Sequence, residues 1–202
     1  MSEFLIGVLI SGSGTNLQAI IDASEANELD ARVAVVISNK QAARGLERAR
    51  KHHIDAVFID PGAYQSRHEY NYAIRDELRR HNVDLVVMAG YMRLLGKEVL
   101  DAYPMKVVNL HPALLPSFPG AHGISDAFDY GVKVTGITVH YASEVFDEGP
   151  IIAQEVVRID EDDTVETLEE RIHQAEHRLL PAALQLIAQG RVRIEGRRVR
   201  IG

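Results

Sequence analysis

Through the first half of the chain, short continuous apolar runs alternate with longer segments whose apolar residues recur at helical spacing. Runs at residues 5–10, 33–37, 56–59, 85–89 and 107–110 read as strands, and their lack of polar alternation implies helices over both faces. The segments at about 16–26, 42–52, 66–81 and 96–102 read as the helices between them. Together they form the βαβ grammar of a parallel sheet with right-handed crossovers. The pattern changes after Leu110. Residues 111–123 hold Pro112, Pro116 and Pro119 and read as an irregular loop of the kind that is functional more often than not. Strands follow at 134–141 and 151–157, then a long helix over about 164–188 that opens on an N-cap candidate, Thr164, with Glu166 in its first turn. Residues 191–201 alternate basic and apolar around Glu195-Gly196, which predicts a short hairpin with a solvated basic face. No repeat or linker interrupts the 202 residues, so one α/β domain over 1–202 is the simplest account, with halves at about 1–110 and about 111–202.

Composition narrows the chemistry. The 46% apolar and 25% charged residues are those of an ordinary globular protein. There is no cysteine, which excludes a disulfide scaffold, a thiolate metal site and a cysteine nucleophile. A net charge of -7, from 22 basic and 29 acidic residues, argues against a broad nucleic-acid surface but not against a small anionic substrate met locally. No apolar run is long enough to cross a bilayer and no leader pattern is visible, so a cytoplasmic protein is expected.

The segment Ile10-Ser-Gly-Ser-Gly14-Thr15-Asn16 joins the first strand to the first helix. Glycines there let an anion approach backbone N–H groups at a helix N-terminus, where the dipole favours negative charge. A phosphate site is the natural reading. A dinucleotide fingerprint needs a third glycine where Leu17 stands, and an acid after the second strand where Ser38-Asn39-Lys40 stands. A triphosphate loop needs a Gly-Lys-Ser/Thr that is missing. A glycine turn without ligand remains the plain alternative.

Asn109 and His111 lie two apart on one predicted strand, so they share a face at its carboxyl end, where open α/β sheets bind ligands. Histidine supplies acid or base near neutral pH, and an asparagine amide donates to a developing oxyanion. A carboxylate partner is needed, and spacing alone leaves Asp147, Glu144, Glu148 and Asp126 all open. A capped strand end with a hydrogen-bonded histidine is the bland alternative.

Taken in order, Ser11-Gly-Ser-Gly-Thr-Asn16, Ala89-Gly-Tyr-Met-Arg-Leu-Leu95, Asn109-Leu-His-Pro-Ala-Leu-Leu-Pro-Ser-Phe-Pro-Gly120, Val139-His-Tyr141, Asp147-Glu-Gly-Pro-Ile-Ile152 and Glu176-His177 resemble the folate-dependent glycinamide ribonucleotide formyltransferases over about residues 4–190. The resemblance implies a Rossmann-like formyltransferase fold whose first half binds phosphate and whose second half carries folate and catalysis. It implies formyl transfer from 10-formyltetrahydrofolate as co-substrate, without metal, to the amine of glycinamide ribonucleotide. It selects Asp147 as the third member with Asn109 and protonated His111. It places the substrate phosphate and ribose on Gly14, Thr15, Asn16, Arg67 and Glu176. It places the folate on Met92, Arg93, Leu94 and Leu95 together with Asn109. His140 is carried near the site, against a plain core reading, and Leu115-Pro116 is expected to be cis. Monomer and homodimer both remain open, and neither nucleic acid nor membrane is implied as a partner.

His173-Gln-Ala-Glu176-His177 spells an inverted zinc-protease motif. A further ligand from elsewhere is needed, and the resemblance assigns Glu176 to the sugar, so no metal is expected. The loop 120–126 carries only His122 where some family members have a second histidine, and His122 stays outside the catalytic set. The hydrolase and tRNA formyltransferase that share the formyl-folate module add a regulatory or C-terminal domain, so length favours the ribonucleotide reaction. A folate- or nucleotide-binding module without catalysis is the alternative from another class.

Overall fold

The computed structural model describes residues 3–202. In chain order the elements are β1 (Leu5–Ile10), α1 (Thr15–Glu25), β2 (Arg32–Ser38), α2 (Arg44–Lys51), β3 (Asp55–Phe58), a 3-10 turn at Pro61–Ala63, α3 (Arg67–Arg80), β4 (Leu85–Met88), α4 (Lys97–Leu100) and β5 (Val107–His111). They continue with α5 (Gly123–Tyr130), β6 (Val134–Tyr141), β7 (Ile151–Arg158), α6 (Val165–Ala188), β8 (Val192–Glu195) and β9 (Arg198–Ile201). Seven strands follow the order β3-β2-β1-β4-β5-β6-β7, and β8 and β9 form a separate hairpin. The fold class is α/β with a mostly parallel sheet. The chain divides into two compact units and passes from one to the other between Val108 and Asn109, inside β5.

In the first unit β1 runs parallel to β2 on one side and β4 on the other, so its residues Ile6 to Ile10 are all buried. That is why the run is apolar without alternation. Leu17 and Ile20 of α1, Leu46 of α2, and Ile74 and Leu78 of α3 are fully buried and complete this core. α3 starts where Ser66 Oγ accepts the Glu69 N–H. α4 ends at Leu100, two residues short of its expected end, because Pro104 disfavours helical geometry at Tyr103 and Met105 is left-handed (φ 54°).

In the second unit β6 and β7 pair antiparallel, from Val134 opposite Arg158 to His140 opposite Ile151, with a shift between Val139 and His140. β6 is buried from Thr135 to Tyr141, whereas β7 alternates and leaves Val156 exposed. α6 opens with a capping box in which Thr164 and Thr167 bond reciprocally, and it continues through the buried Pro181. α5 has no counterpart in the apolar pattern described above. Its apolar face is a single triplet, Ile124, Ala127 and Phe128, closed by Gly131 in the left-handed C-cap conformation. Leu115-Pro116 is cis. Among the described residues no helix is long and apolar enough to cross a membrane.

Candidate active site

The glycine loop of the first unit is built against α2. Gly14 caps α1 in a left-handed conformation (φ 70°), and a Cβ placed there would lie 2.6 Å from the Gly45 Cα. Both constraints demand glycine. Gly45 N–H donates to the Gly12 carbonyl at 3.2 Å, and Arg48 Nε donates to the Ser13 carbonyl at 2.9 Å. Among the described residues no side chain caps α1. Its opening N–H groups at Thr15 and Asn16 therefore lie at the positive end of the helix dipole, a geometry suited to an anion.

The segment after β4 is pinned residue by residue. Ser11 N–H donates to the Gly90 carbonyl at 3.1 Å, and Ser11 Oγ accepts the Met92 N–H at 2.9 Å while donating to Asn39 Oδ1 at 2.6 Å. Arg67 Nη2 donates to the Leu94 carbonyl at 2.8 Å, which ties Arg67 to this segment. Leu95 is buried, while Met92 is 67% exposed and Arg93 lies over the Tyr70 ring at 5.3 Å. All four residues precede α4, which begins at Lys97.

In the second unit Asn109 and His111 leave the end of β5, and one carboxylate reaches both. Asp147 Oδ1 accepts from Asn109 Nδ2 at 3.4 Å, and Asp147 Oδ2 lies 3.5 Å from His111 Nδ1. The Gly120 N–H donates to Oδ2 at 2.8 Å. The Asp147 side chain is 1% exposed, whereas Asp126, Glu144 and Glu148 are exposed. Of the four acids that spacing left open, Asp147 is the one with described contacts to both Asn109 and His111. Its backbone is left-handed (φ 55°), which asparagine and aspartate adopt more readily than most residues. The turn behind it is closed by Gly149, where a Cβ would fall 1.6 Å from the Tyr141 carbonyl oxygen.

Protonation follows from the partners. Burial raises the Asp147 pKa, but the His140 contact, the Gly120 N–H and the two imidazoles outweigh it, and the net shift is downward. Burial pushes His111 below its ordinary value, against the opposing pull of Asp147 and the Phe118 carbonyl. His111 Nε2 lies 2.7 Å from that carbonyl, which assigns the proton to Nε2. Burial thus works against the protonated His111 that the sequence reading expects, while Asp147 and the Phe118 carbonyl work for it.

His140 is the member that strand periodicity did not separate from the core. It is 1% exposed, its Nδ1 donates to the Tyr141 carbonyl at 2.9 Å, and its Nε2 faces Asn109 Nδ2 at 3.1 Å and Asp147 Oδ1 at 3.5 Å. Both hydrogens of the Asn109 amide are thereby directed, one to His140 and one to Asp147. Its place next to last in the β6 run was the available signal. The contributions of the Phe118 carbonyl and Gly120 N–H are backbone groups with no side-chain signature. His122 is exposed at the start of α5 and makes no described contact with Asp147.

Glu176 lies on α6, 5% exposed, with His173 Nε2 4.0 Å from its Oε2. The rings of His173 and His177 stack with centroids 6.4 Å apart. Among the described residues no cluster of three or more His, Asp or Glu side chains is arranged to hold a metal ion.

The family model described as formyl transferase matches residues 5–184. The chain is 45% identical over 178 residues to phosphoribosylglycinamide formyltransferase of Bacillus subtilis, covering 88% of this chain and 91% of that protein. It is 44% identical over 189 residues to the trifunctional purine biosynthetic protein adenosine-3 of Homo sapiens, covering 94% of this chain but only 19% of that longer protein. The crystal structure of glycinamide ribonucleotide transformylase 1 from Symbiobacterium toebii superposes with a TM-score of 0.97 at 52% identity, covering 98% of this chain and 93% of that one.

Proposed function

The chain belongs to the formyl transferase family, and on that premise we propose that it transfers the formyl group of 10-formyltetrahydrofolate to the primary amine of glycinamide ribonucleotide, a one-carbon transfer in purine biosynthesis. The observation that carries this reading is the convergence of Asn109 and His111 on one buried carboxylate, Asp147, in a chain related to such enzymes over nearly its whole length.

The residues present suit direct attack by an amine. When bound, the folate supplies an activated formyl carbonyl. Asp147, held ionised by its donors, accepts the proton released as the amine attacks, through a water, and the same water returns it to the folate nitrogen as the bond from that nitrogen to the formyl carbon breaks. Asn109 Nδ2 donates to the oxygen on which charge develops, giving up one of its two present partners to do so. His111 donates from Nε2, exchanging its present Phe118 carbonyl for the oxygen on which charge develops. His140 orients Asn109 by accepting from its amide. The N–H groups of Gly14, Thr15 and Asn16 receive the ribonucleotide phosphate, and Glu176 accepts from ribose hydroxyls. Met92, Leu94 and Leu95 supply walls for the pterin and Arg93 supplies donors. Arg67 spends one donor on Leu94 and keeps others for an anionic group of either substrate. In this reading the whole chain is one formyltransferase domain acting in the cytoplasm on small molecules, as a monomer or homodimer, with no nucleic acid or membrane involved.

The test mixes the protein with glycinamide ribonucleotide and 10-formyltetrahydrofolate and follows deformylated folate. Turnover that requires the ribonucleotide is expected. Loss of the formyl group at the same rate without the ribonucleotide, or no turnover at all, overturns the reading.

A further inference from the structure

Arg67, Tyr70 and Asn71 stand at i, i+3 and i+4 on α3 and therefore share one face. That face meets the segment 91–96 at four points. Beyond the Arg67 contact with the Leu94 carbonyl, Asn71 Oδ1 accepts the Gly96 N–H at 3.0 Å, and the Tyr70 and Tyr91 hydroxyls bond at 2.7 Å. The Tyr70 ring also lies beneath the Arg93 guanidinium. Asn71 is 2% exposed and donates its amide back to the Arg67 carbonyl at 2.7 Å, so its orientation is locked from both ends. Tyr70 and Tyr91 are 3% and 6% exposed, and burial raises both phenols above their ordinary range, so both stay neutral and able to bond each other. This is a polar face turned inward on a helix whose other buried residues, Ile74 and Leu78, are apolar. Buried polar groups of this kind need a reason beyond core packing.

We propose that Tyr70 and Asn71 are positioning residues that hold the 91–96 segment in the shape that receives the formyl donor. They act through Tyr91 and Gly96 without touching the donor. The inference rests on the reading of residues 92–95 as the pterin-binding segment. Its distinguishing consequence is selectivity. The phosphate loop has its own supports at Gly12 and Ser13, from Gly45 and Arg48, so loss of the Tyr70 and Asn71 contacts weakens one substrate and spares the other.

The experiment measures KM for each substrate, kcat and calorimetric binding of the folate for Tyr70→Phe and Asn71→Ala. Tyr70→Phe removes one buried hydrogen bond and Asn71→Ala removes two, so KM and Kd for the folate rise about fivefold in the first and at least as much in the second. The KM for the ribonucleotide and kcat stay within about twofold, the usual reach of a change that does not touch the transition state. Tyr72→Phe, on the same helix with a 45% exposed ring, leaves all of these unchanged. Tyr70→Phe removes a single oxygen and keeps the test decisive if Asn71→Ala fails to fold. Equal rises in both KM values, or no change in either, overturn the proposal. Absence of ribonucleotide-dependent turnover in the unmodified protein overturns the functional reading itself, a result that the KM split cannot mimic.

Discussion

Replacing Gly14 with alanine adds one carbon where the chain has no room for it. At φ 70° an alanine costs about 1–2 kcal/mol relative to glycine. The new Cβ starts 2.6 Å from the Gly45 Cα, a backbone atom that no rotamer change can move. Relieving the overlap drives the start of α1 away from α2, and overpacking of this kind costs about 1–3 kcal/mol more. A total loss of about 2–5 kcal/mol is expected. The same displacement turns the Thr15 and Asn16 N–H groups away from their common target, so KM for the ribonucleotide rises about tenfold or more. Gly12→Ala is the matched control, because its Cβ meets nothing within 4 Å and its backbone is not left-handed. Its stability stays within about 0.5 kcal/mol. Urea unfolding at constant m-value gives the first quantity and initial rates at saturating folate give the second. Equal destabilisation by the two substitutions, or a harmless Gly14→Ala, refutes the argument that position 14 is set by backbone geometry.

Asp147→Asn keeps volume and tolerance of φ 55° while removing proton acceptance, so turnover falls by about 10²–10⁴-fold while calorimetry still detects both substrates; retained turnover shows the carboxylate to be misassigned. Stability also depends on pH in a window that His111 defines. Its folded pKa lies below 6.5, so below pH 6.5 the unfolded chain takes up a proton that the folded chain refuses, and stability falls with falling pH. The contribution of Asp147, whose folded pKa is depressed, is complete above its ordinary 3.8 and is lost only as pH drops through the lower folded value. Denaturant midpoints between pH 7 and 5 therefore decline, and His111→Gln flattens that decline. A midpoint independent of pH, or an unchanged slope in the variant, contradicts the burial argument.

The parallel half of the sheet was legible because β1, β2 and β4 are buried on both faces and must be apolar throughout. Asn109 and His111 were legible for a similar reason, since period-two geometry at a strand end needs no tertiary information. α5 was not, because eight residues with one apolar triplet lie below what periodicity resolves. Asp147 was chosen among four acids only by resemblance, and the structure gives the physical ground in its burial, its left-handed backbone and the Gly149 approach to Tyr141. His140 was ambiguous because a histidine facing a core and one facing a polar cluster look alike on a single strand. The α3 face was invisible for a different reason. Tyr70 and Asn71 become meaningful only beside Tyr91 and Gly96, some twenty residues on.

The stretch around Phe118 and Gly120 orients the imidazole through a carbonyl and the carboxylate through an amide, both main-chain groups. Both residues hold positive φ, 51° and 103°. The alignment of acid and base is thus written in dihedral angles. Drift in side-chain identity at these two positions is tolerated only among residues that accept those angles, and a β-branched residue or proline there would misalign the imidazole and the carboxylate that the main chain holds. Anyone redesigning the loop for a different acceptor has freedom over what projects outward and almost none over how the backbone turns.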